Sequence, residues 1–223
     1  KNFIEKMKGR PAMERHLDYF EIEGAYGGNQ DWFTNIVMHI GGCGAATACD
    51  TCIYLALRRG MTGLYPGDVR HLTKQDYKDF SMKMKPYLKP RAGGIDRLET
   101  YIEGFQAYLR DLGNEDGKAL VMEPLHGEKD VEEAKEAVRR EIGQGLPVPC
   151  LLLYHRDRKQ FGDFTWHWFL LTGYEERGGR FYVTAATYGE ASELDFEEMW
   201  DTGYEKKGGL VLYSLDEKTK DRQ

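Results

Sequence analysis

The chain has 223 residues, of which 41% are hydrophobic and 30% are charged. This composition is typical of a globular protein rather than a disordered one, and the length suits a single domain. A formal net charge of −6 argues against a nucleic-acid partner, which would require a basic surface. The longest apolar runs, at 148–154 and 166–171, are only as long as strands, so the sequence predicts no membrane span.

The cysteines and the start of the chain bear on where the protein resides. Its four cysteines are too few for a disulfide scaffold, which indicates a reducing compartment. The first 20 residues lack the apolar core of a secretory signal. We therefore expect a soluble, cytoplasmic protein, with a signal upstream of Lys1 as the alternative.

The first half of the chain is predicted to be mainly helical. Its clearest helix covers residues 43–59, where apolar residues recur at spacings of three and four and Gly60 provides a natural end. The other predicted elements of this half are a polar helix at 2–18 that restarts at Pro11, a glycine-rich loop at 21–42, a helix at 73–88 that Pro86 is expected to end early, and a helix at 95–112.

The second half is predicted to form a mainly antiparallel sheet, with one helix at 130–143 that begins at Asp130. The predicted strands cover 119–125, 147–154, 165–175, 180–187 and 209–215, and a short helix or turn covers 194–200. Helices and strands that segregate in this way predict an α+β fold. We expect one domain over 1–223, with a helical part at about 1–115, a sheet part at about 116–215 and a frayed tail at 216–223.

The most informative segment places Cys43 between Gly42 and Gly44 at the start of the predicted 43–59 helix. Unpaired amides and aligned dipoles at a helix start favour negative charge, so they are expected to lower the pKa of the thiol. The same amides could donate to a developing oxyanion. The alternative is a small buried cysteine in a glycine-rich turn.

A nucleophilic thiol requires a base, and the sequence offers three histidines worth weighing. His167 lies on the apolar strand predicted at 165–175, where a buried imidazole needs a hydrogen-bond partner, and a thiol would meet that need. A core histidine bonded to a backbone carbonyl is the alternative. His155 sits among charged residues that suggest a solvated loop, and His39 lies on the loop before Cys43, where a base is less common.

Metal and phosphate sites are not predicted. Cys49 and Cys52 have the spacing of a zinc or redox pair, but no second pair of ligands follows, and both fall in the middle of the predicted helix. The glycines at 24–28 match neither dinucleotide nor Walker spacing. We therefore expect neither a metal nor a cofactor.

Taken together, these segments resemble the papain-like cysteine peptidases, nearest the bacterial branch that includes the bacteriocin-processing peptidases. Gly42-Cys43-Gly44-Ala45-Ala46-Thr47 resembles their Gly-Cys-Gly-Pro-Thr-like segment, with Ala45 in place of the usual proline, and 166–174 resembles their histidine strand. The resemblance extends over about 24–214. It implies a papain-like fold and a Cys43–His167 dyad that cleaves a peptide or small amide substrate through an acyl-thioester.

The resemblance also implies two further site residues. Gln30 matches the upstream glutamine that helps to bind the oxyanion, and Asn35 is its rival. The family's orienting Asp or Asn is missing after the histidine, so Thr187, Thr184 or a backbone carbonyl is expected to accept the ring N–H instead, as a weaker partner. The alternatives to a hydrolase are a binding module without turnover and a thiol acyltransferase on the same fold.

Overall fold

The computed structural model describes residues 13–91 and 94–216. These residues combine helices with an antiparallel sheet, which agrees with the predicted α+β class. Residues 2–12 of the first predicted helix and 217–223 of the predicted tail lie outside the described residues.

The strands, in chain order, are β1 (Met13–His16), β2 (Glu21–Ile22), β3 (Ala25–Tyr26), β4 (Leu120–His126), β5 (Val148–Leu152), β6 (His167–Arg177), β7 (Arg180–Thr187), β8 (Glu190–Asp195) and β9 (Gly209–Leu215). The α-helices are α1 (Ile36–Gly41), α2 (Cys43–Arg59), α3 (Lys74–Met84), α4 (Leu98–Leu112), α5 (Glu115–Ala119), α6 (Val131–Gly143), α7 (Arg158–Phe161) and α8 (Phe196–Trp200). Short 3-10 turns cover Gln30–Trp32, Thr62–Leu64, Val69–His71 and Gly162–Phe164.

The main sheet of the described residues has seven strands in the order β4-β9-β5-β6-β7-β8, and β1 also pairs with β6. All of its pairings are antiparallel. Strand β6 is long enough to pair with β5 through its first half and with β1 through its second half, while β7 takes its other edge. The strand that begins at His167 is therefore the centre of the sheet.

Helices cover both faces of this sheet. Strand β5 and the first eight residues of β6 are buried without interruption, a pattern found where neither face meets water. Trp168 of β6 stacks on Tyr101 of α4 with ring centroids 4.4 Å apart, and its other neighbours include Gly44 of α2. Arg139 of α6 lies over the ring of Phe181 in β7. This packing places the start of α2 directly against the start of β6.

Local signals set several helix ends as predicted. Thr73 and Asp76 form a reciprocal capping box at the start of α3, and Asp130 caps α6. Gly60 and Gly113, which follow α2 and α4, adopt the left-handed backbone that glycine accepts readily. The helix predicted at 73–88 ends at Met84, two residues before Pro86, in agreement with the expected early end.

Three predictions of secondary structure, in separate parts of the chain, were wrong. Residues 13–16 are not helical but form β1, because they pair with the second half of β6. The loop predicted at 21–42 contains the β2–β3 hairpin and helix α1. Residues 190–195, for which no strand was predicted, form β8, which follows β7 through a two-residue turn.

Candidate active site

A small pocket that opens to solvent lies between the first turns of α2 and the start of β6. Helix α2 contributes Cys43, Ala46, Thr47 and Asp50; the sheet and its turn contribute His167, Trp168, Leu170, Ala186, Thr187 and Tyr188; and Gly28, Gln30 and Tyr77 complete the lining. The fold thus brings all four residues predicted for the site, Cys43, His167, Gln30 and Thr187, to one pocket.

Cys43 occupies the first position of α2 because the chain breaks between two helices at Gly42. A side chain at Gly42 would not fit, since a Cβ there would lie 2.3 Å from the carbonyl oxygen of Met38. A Cβ at Gly44 would lie 3.1 Å from Ile95. The glycines on either side of Cys43 therefore permit close packing, as their place in the motif suggested.

The electrostatic environment of the thiol differs from the prediction. Burial raises the pKa of Cys43, and hydrogen bonds from the backbone N–H groups of Trp168, Gly44 and Cys43 itself offset this only in part. The predicted lowering of the thiol pKa is therefore wrong, because loss of hydration outweighs the helix-start amides.

His167 is buried and has one side-chain hydrogen-bond partner in the described structure. Its Nε2 lies 2.7 Å from Oγ1 of Thr187 on the neighbouring strand β7. If Nε2 carries the ring proton and donates it to this hydroxyl, Nδ1 retains a lone pair that can accept a proton. Burial lowers the pKa of His167 from 6.5 to about 4, so the imidazole is neutral at physiological pH.

The ring of Tyr188 covers His167 in a parallel stack, with centroids 4.7 Å apart and planes inclined by 2°. Tyr188 and Gly189 form the two-residue turn between β7 and β8, and both have positive φ, at 52° and 75°. This combination is typical of a type I′ hairpin turn, in which a non-glycine residue at the first position is strained. The turn holds Tyr188 over the imidazole and keeps water from that side.

Gln30 is buried at the pocket wall, but its amide is partly committed. Its Nε2 donates to the backbone carbonyl of His39 at 2.9 Å, which leaves one N–H of the amide for another acceptor. Its rival Asn35 does not line the pocket; it caps α1 by accepting from the N–H of Met38. The structure thus places Gln30, and not Asn35, at the wall of the pocket.

The competing histidines and threonine lie elsewhere. His155 is buried with both ring nitrogens bonded to backbone groups, the N–H of Asp157 and the carbonyl of Glu198. The predicted solvated position of His155 is therefore wrong. His39 is exposed and does not line the pocket, and Thr184 contacts His16 rather than His167.

The remaining cysteines offer no second site. Cys49, Cys52 and Cys150 are free thiols in the hydrophobic core, and burial raises the pKa of each. Within residues 13–91 and 94–216, no group of three His, Cys, Asp or Glu side chains is arranged to hold a metal ion.

Two pocket residues were missed by the sequence analysis. Asp50 lies seven residues after Cys43, two helical turns along the same face of α2. An aspartate on the buried stripe of that helix was a signal that could have been noticed. Tyr188 left a weaker signal, a Tyr-Gly pair between two strand-like runs.

Comparisons with known proteins leave the family open. No protein-family model matches the chain, and no curated protein matches it. Of the helices in the described part of the chain, none is both long and apolar enough to cross a bilayer.

Proposed function

We propose that this chain is a papain-like cysteine hydrolase in which Cys43 is the nucleophile and His167 the base. One observation carries the proposal: a thiol at the start of a buried helix and an imidazole at the start of a sheet strand line the same pocket. A hydroxyl on the next strand bonds Nε2 of that imidazole. Nucleophile, base and orienting group in this order are the working parts of thiol hydrolases on many folds.

The reaction would start from a neutral thiol and a neutral imidazole. His167 would take the Cys43 proton at Nδ1 as the sulfur attacks the carbonyl carbon of a peptide or amide, whose oxygen becomes the oxyanion. Collapse of that intermediate would pass the proton from Nδ1 to the departing amine and leave a thioester. Water would then attack the thioester, give its proton to His167 and release a carboxylic acid, and the proton would return to sulfur.

Two donors at the pocket suit the oxyanion. The backbone N–H of Cys43 has no partner within α2, because it belongs to the first turn of that helix. It lies against the sulfur in the resting site and would turn to the oxyanion as that charge develops. The second amide N–H of Gln30 is the other donor. Removing one such donor typically costs about 10² to 10³ in rate. Thr187 would hold the imidazole in the tautomer that leaves Nδ1 free, though a neutral hydroxyl stabilises an imidazolium less than a carboxylate does.

Alkylation with iodoacetamide, mapped by mass spectrometry, tests the proposal without knowledge of the substrate. We expect Cys43 to react at least tenfold faster than Cys150, and His167→Gln to remove most of that difference, because the base assists deprotonation of the thiol. His126→Gln, which changes an exposed histidine distant in sequence, is the matched control and is expected to leave the rate unchanged.

The same labelling experiment distinguishes the hydrolase from a binding module on the same fold. This distinction is needed because the neutral resting forms of Cys43 and His167 are compatible with either function. Slow labelling of Cys43 that is the same in wild type and His167→Gln would contradict the hydrolase and favour the binding module. An acyltransferase would label as a hydrolase does, but would form product only when an amine acceptor is added.

A further inference from the structure

We propose that Asp50 is a positioning residue for this site: its carboxylate fixes the segment that carries Gly28 and Gln30 against α2, and through it the turn that covers His167. The effect of Asp50 on activity rests on the proposed function. The hydrogen bonds that support the inference do not depend on which reaction the site performs.

The carboxylate of Asp50 joins three separate segments of the chain. It accepts from the hydroxyl of Tyr19 at 2.8 Å, from the hydroxyl of Tyr77 in α3 at 2.7 Å, and from the backbone N–H of Gly28, which is 3.2 Å from both carboxylate oxygens. The fit at Gly28 is close, since a Cβ there would lie 1.9 Å from the ring of Tyr77. Only glycine can bring its backbone this near to the acid.

The segment held by Asp50 then holds the turn above the imidazole. The carbonyl of Gly28 accepts from the N–H of Gly189, and the side-chain amide of Asn29 donates to the carbonyl of Tyr188 at 2.9 Å. Tyr188 stacks on His167, and Gln30 follows Asn29 directly at the pocket wall. Asp50 is thus linked to both the proposed base, His167, and the proposed oxyanion donor, Gln30, through the backbone of residues 28–30.

Asp50 carries this role without a compensating cation. In the portion of the chain that the structure describes, no lysine, arginine or histidine pairs with it, and its burial is offset by the hydrogen bonds from Tyr77, Tyr19 and Gly28. A buried acid without a cation costs stability, and such a cost is commonly retained where function requires the group.

The charge of Asp50 should therefore matter as well as its shape. Burial raises the pKa of this carboxyl from 3.8 to about 6. The titratable groups that face it are Tyr19, Tyr77 and the Cys49 thiol, and burial raises the pKa of each, so all three stay neutral through this range. The ionised carboxylate binds the Gly28 N–H more strongly than the acid does. Positioning is expected to tighten as pH rises through about 6.

Asp50→Asn tests the inference, because it keeps the shape and removes the charge. The quantity to measure is the acceleration of Cys43 alkylation that depends on His167, taken as the ratio of rates with His167 and with Gln in its place. In wild type, we expect this ratio to rise as the pH increases through about 6. In Asp50→Asn, we expect a ratio that is at least tenfold smaller and does not rise in this pH range. Glu141→Gln is the matched control: Glu141 is also buried and accepts a backbone N–H, that of Tyr213, but does not line the pocket.

A second readout keeps the inference testable if His167 gives no acceleration at all. The amide resonance of Gly28 should titrate with a midpoint near pH 6 in wild type and stay constant in Asp50→Asn. If Asp50→Asn does not fold, Tyr19→Phe, which removes one donor to the carboxylate, should shift the same resonance and its midpoint. A Gly28 amide that does not titrate, or an acceleration equal in Asp50→Asn and wild type, would overturn the inference.

Discussion

Two histidines of this protein are equally buried, each 4% exposed, yet their surroundings differ. His155 bonds backbone groups with both ring nitrogens and packs against Phe161 at 4.2 Å between centroids. His167 bonds the Thr187 hydroxyl through Nε2, while its Nδ1 has no hydrogen-bond partner among residues 13–91 and 94–216, and it lines a pocket that also contains a thiol. Burial by itself therefore does not distinguish a structural histidine from a candidate base; the free ring nitrogen does.

The largest effect should come from replacing each histidine in turn. We expect His167→Gln to lower hydrolysis of any substrate identified by about 10² to 10⁴, the usual contribution of a general base. His155→Gln should leave the turnover per folded molecule unchanged, but lower the free energy of unfolding by about 1 to 3 kcal/mol, because buried backbone groups lose partners. Urea denaturation and steady-state kinetics on both variants check this. Equal losses of activity in His167→Gln and His155→Gln would contradict the distinction between a candidate base and a structural histidine.

The free energy of unfolding should depend on pH through two pocket residues, His167 and Asp50, whose pKa values shift in opposite directions. The folded-state pKa of His167 is about 4, below its ordinary 6.5, so the stability it contributes is lost as pH falls from 6.5 to 4. The pKa of Asp50 is about 6, above its ordinary 3.8, so its ionisation lowers stability as pH rises from 4 to 6. Each shift corresponds to about 2 to 3 kcal/mol.

These two opposed contributions should nearly cancel in wild type. Between pH 4 and pH 7, Asp50→Asn should gain about 2 to 3 kcal/mol relative to wild type, and His167→Gln should lose a similar amount. Urea unfolding at the two pH values measures both. Parallel pH profiles in the three proteins would mean that neither group titrates as its burial indicates.

A smaller effect is expected at the residue that orients the base. Thr187→Val removes the hydroxyl that bonds Nε2 of His167, and should lower the rate of Cys43 alkylation about tenfold, which corresponds to one hydrogen bond of about 1.4 kcal/mol. Thr187→Ser keeps the hydroxyl and should restore most of the rate. Thr184→Val, three residues earlier on β7, is the matched control, since Thr184 contacts His16.

The smallest effect should follow from uncovering His167. Tyr188→Asn removes the stacked ring while keeping a residue that tolerates positive φ, and Tyr188→Phe keeps the ring. With water admitted, the pKa of His167 should rise from about 4 towards 6.5, with a change of a few fold in alkylation rate at pH 6. Histidine NMR titration measures the pKa, and an unchanged value in Tyr188→Asn would show that the tyrosine does not shield the ring.

The parts of the fold that could be predicted are those whose local pattern agrees with their tertiary role. Helix α2 has an apolar stripe and a glycine end, and α3 and α6 have polar caps. Strand β1 has no such pattern, because its four residues, Met-Glu-Arg-His, are all exposed and its pairing depends on β6 extending beyond β5. A Cβ at Gly173 would meet the ring of His16, a contact that no local rule anticipates.

At the site, residue types and spacing indicated Cys43 and His167, and resemblance added Gln30 and Thr187. The protonation state of the pair could not be read from the sequence, since it depends on burial that only the packing of α2 against β6 creates. Asp50 was missed for a related reason. Its importance lies in the backbone of Gly28, which a distant segment brings to it.

The account depends most on Cys43 and His167 sharing a proton, and nitrogen-15 NMR of the histidine rings tests that directly. At pH 7, His167 should be neutral with the proton on Nε2, and Cys43→Ala should shift its Nδ1 resonance while both nitrogens of His155 stay unchanged. Cys150→Ala, at a core thiol outside the pocket, should shift neither histidine. An Nδ1 resonance of His167 that is the same with and without the Cys43 thiol would contradict the account.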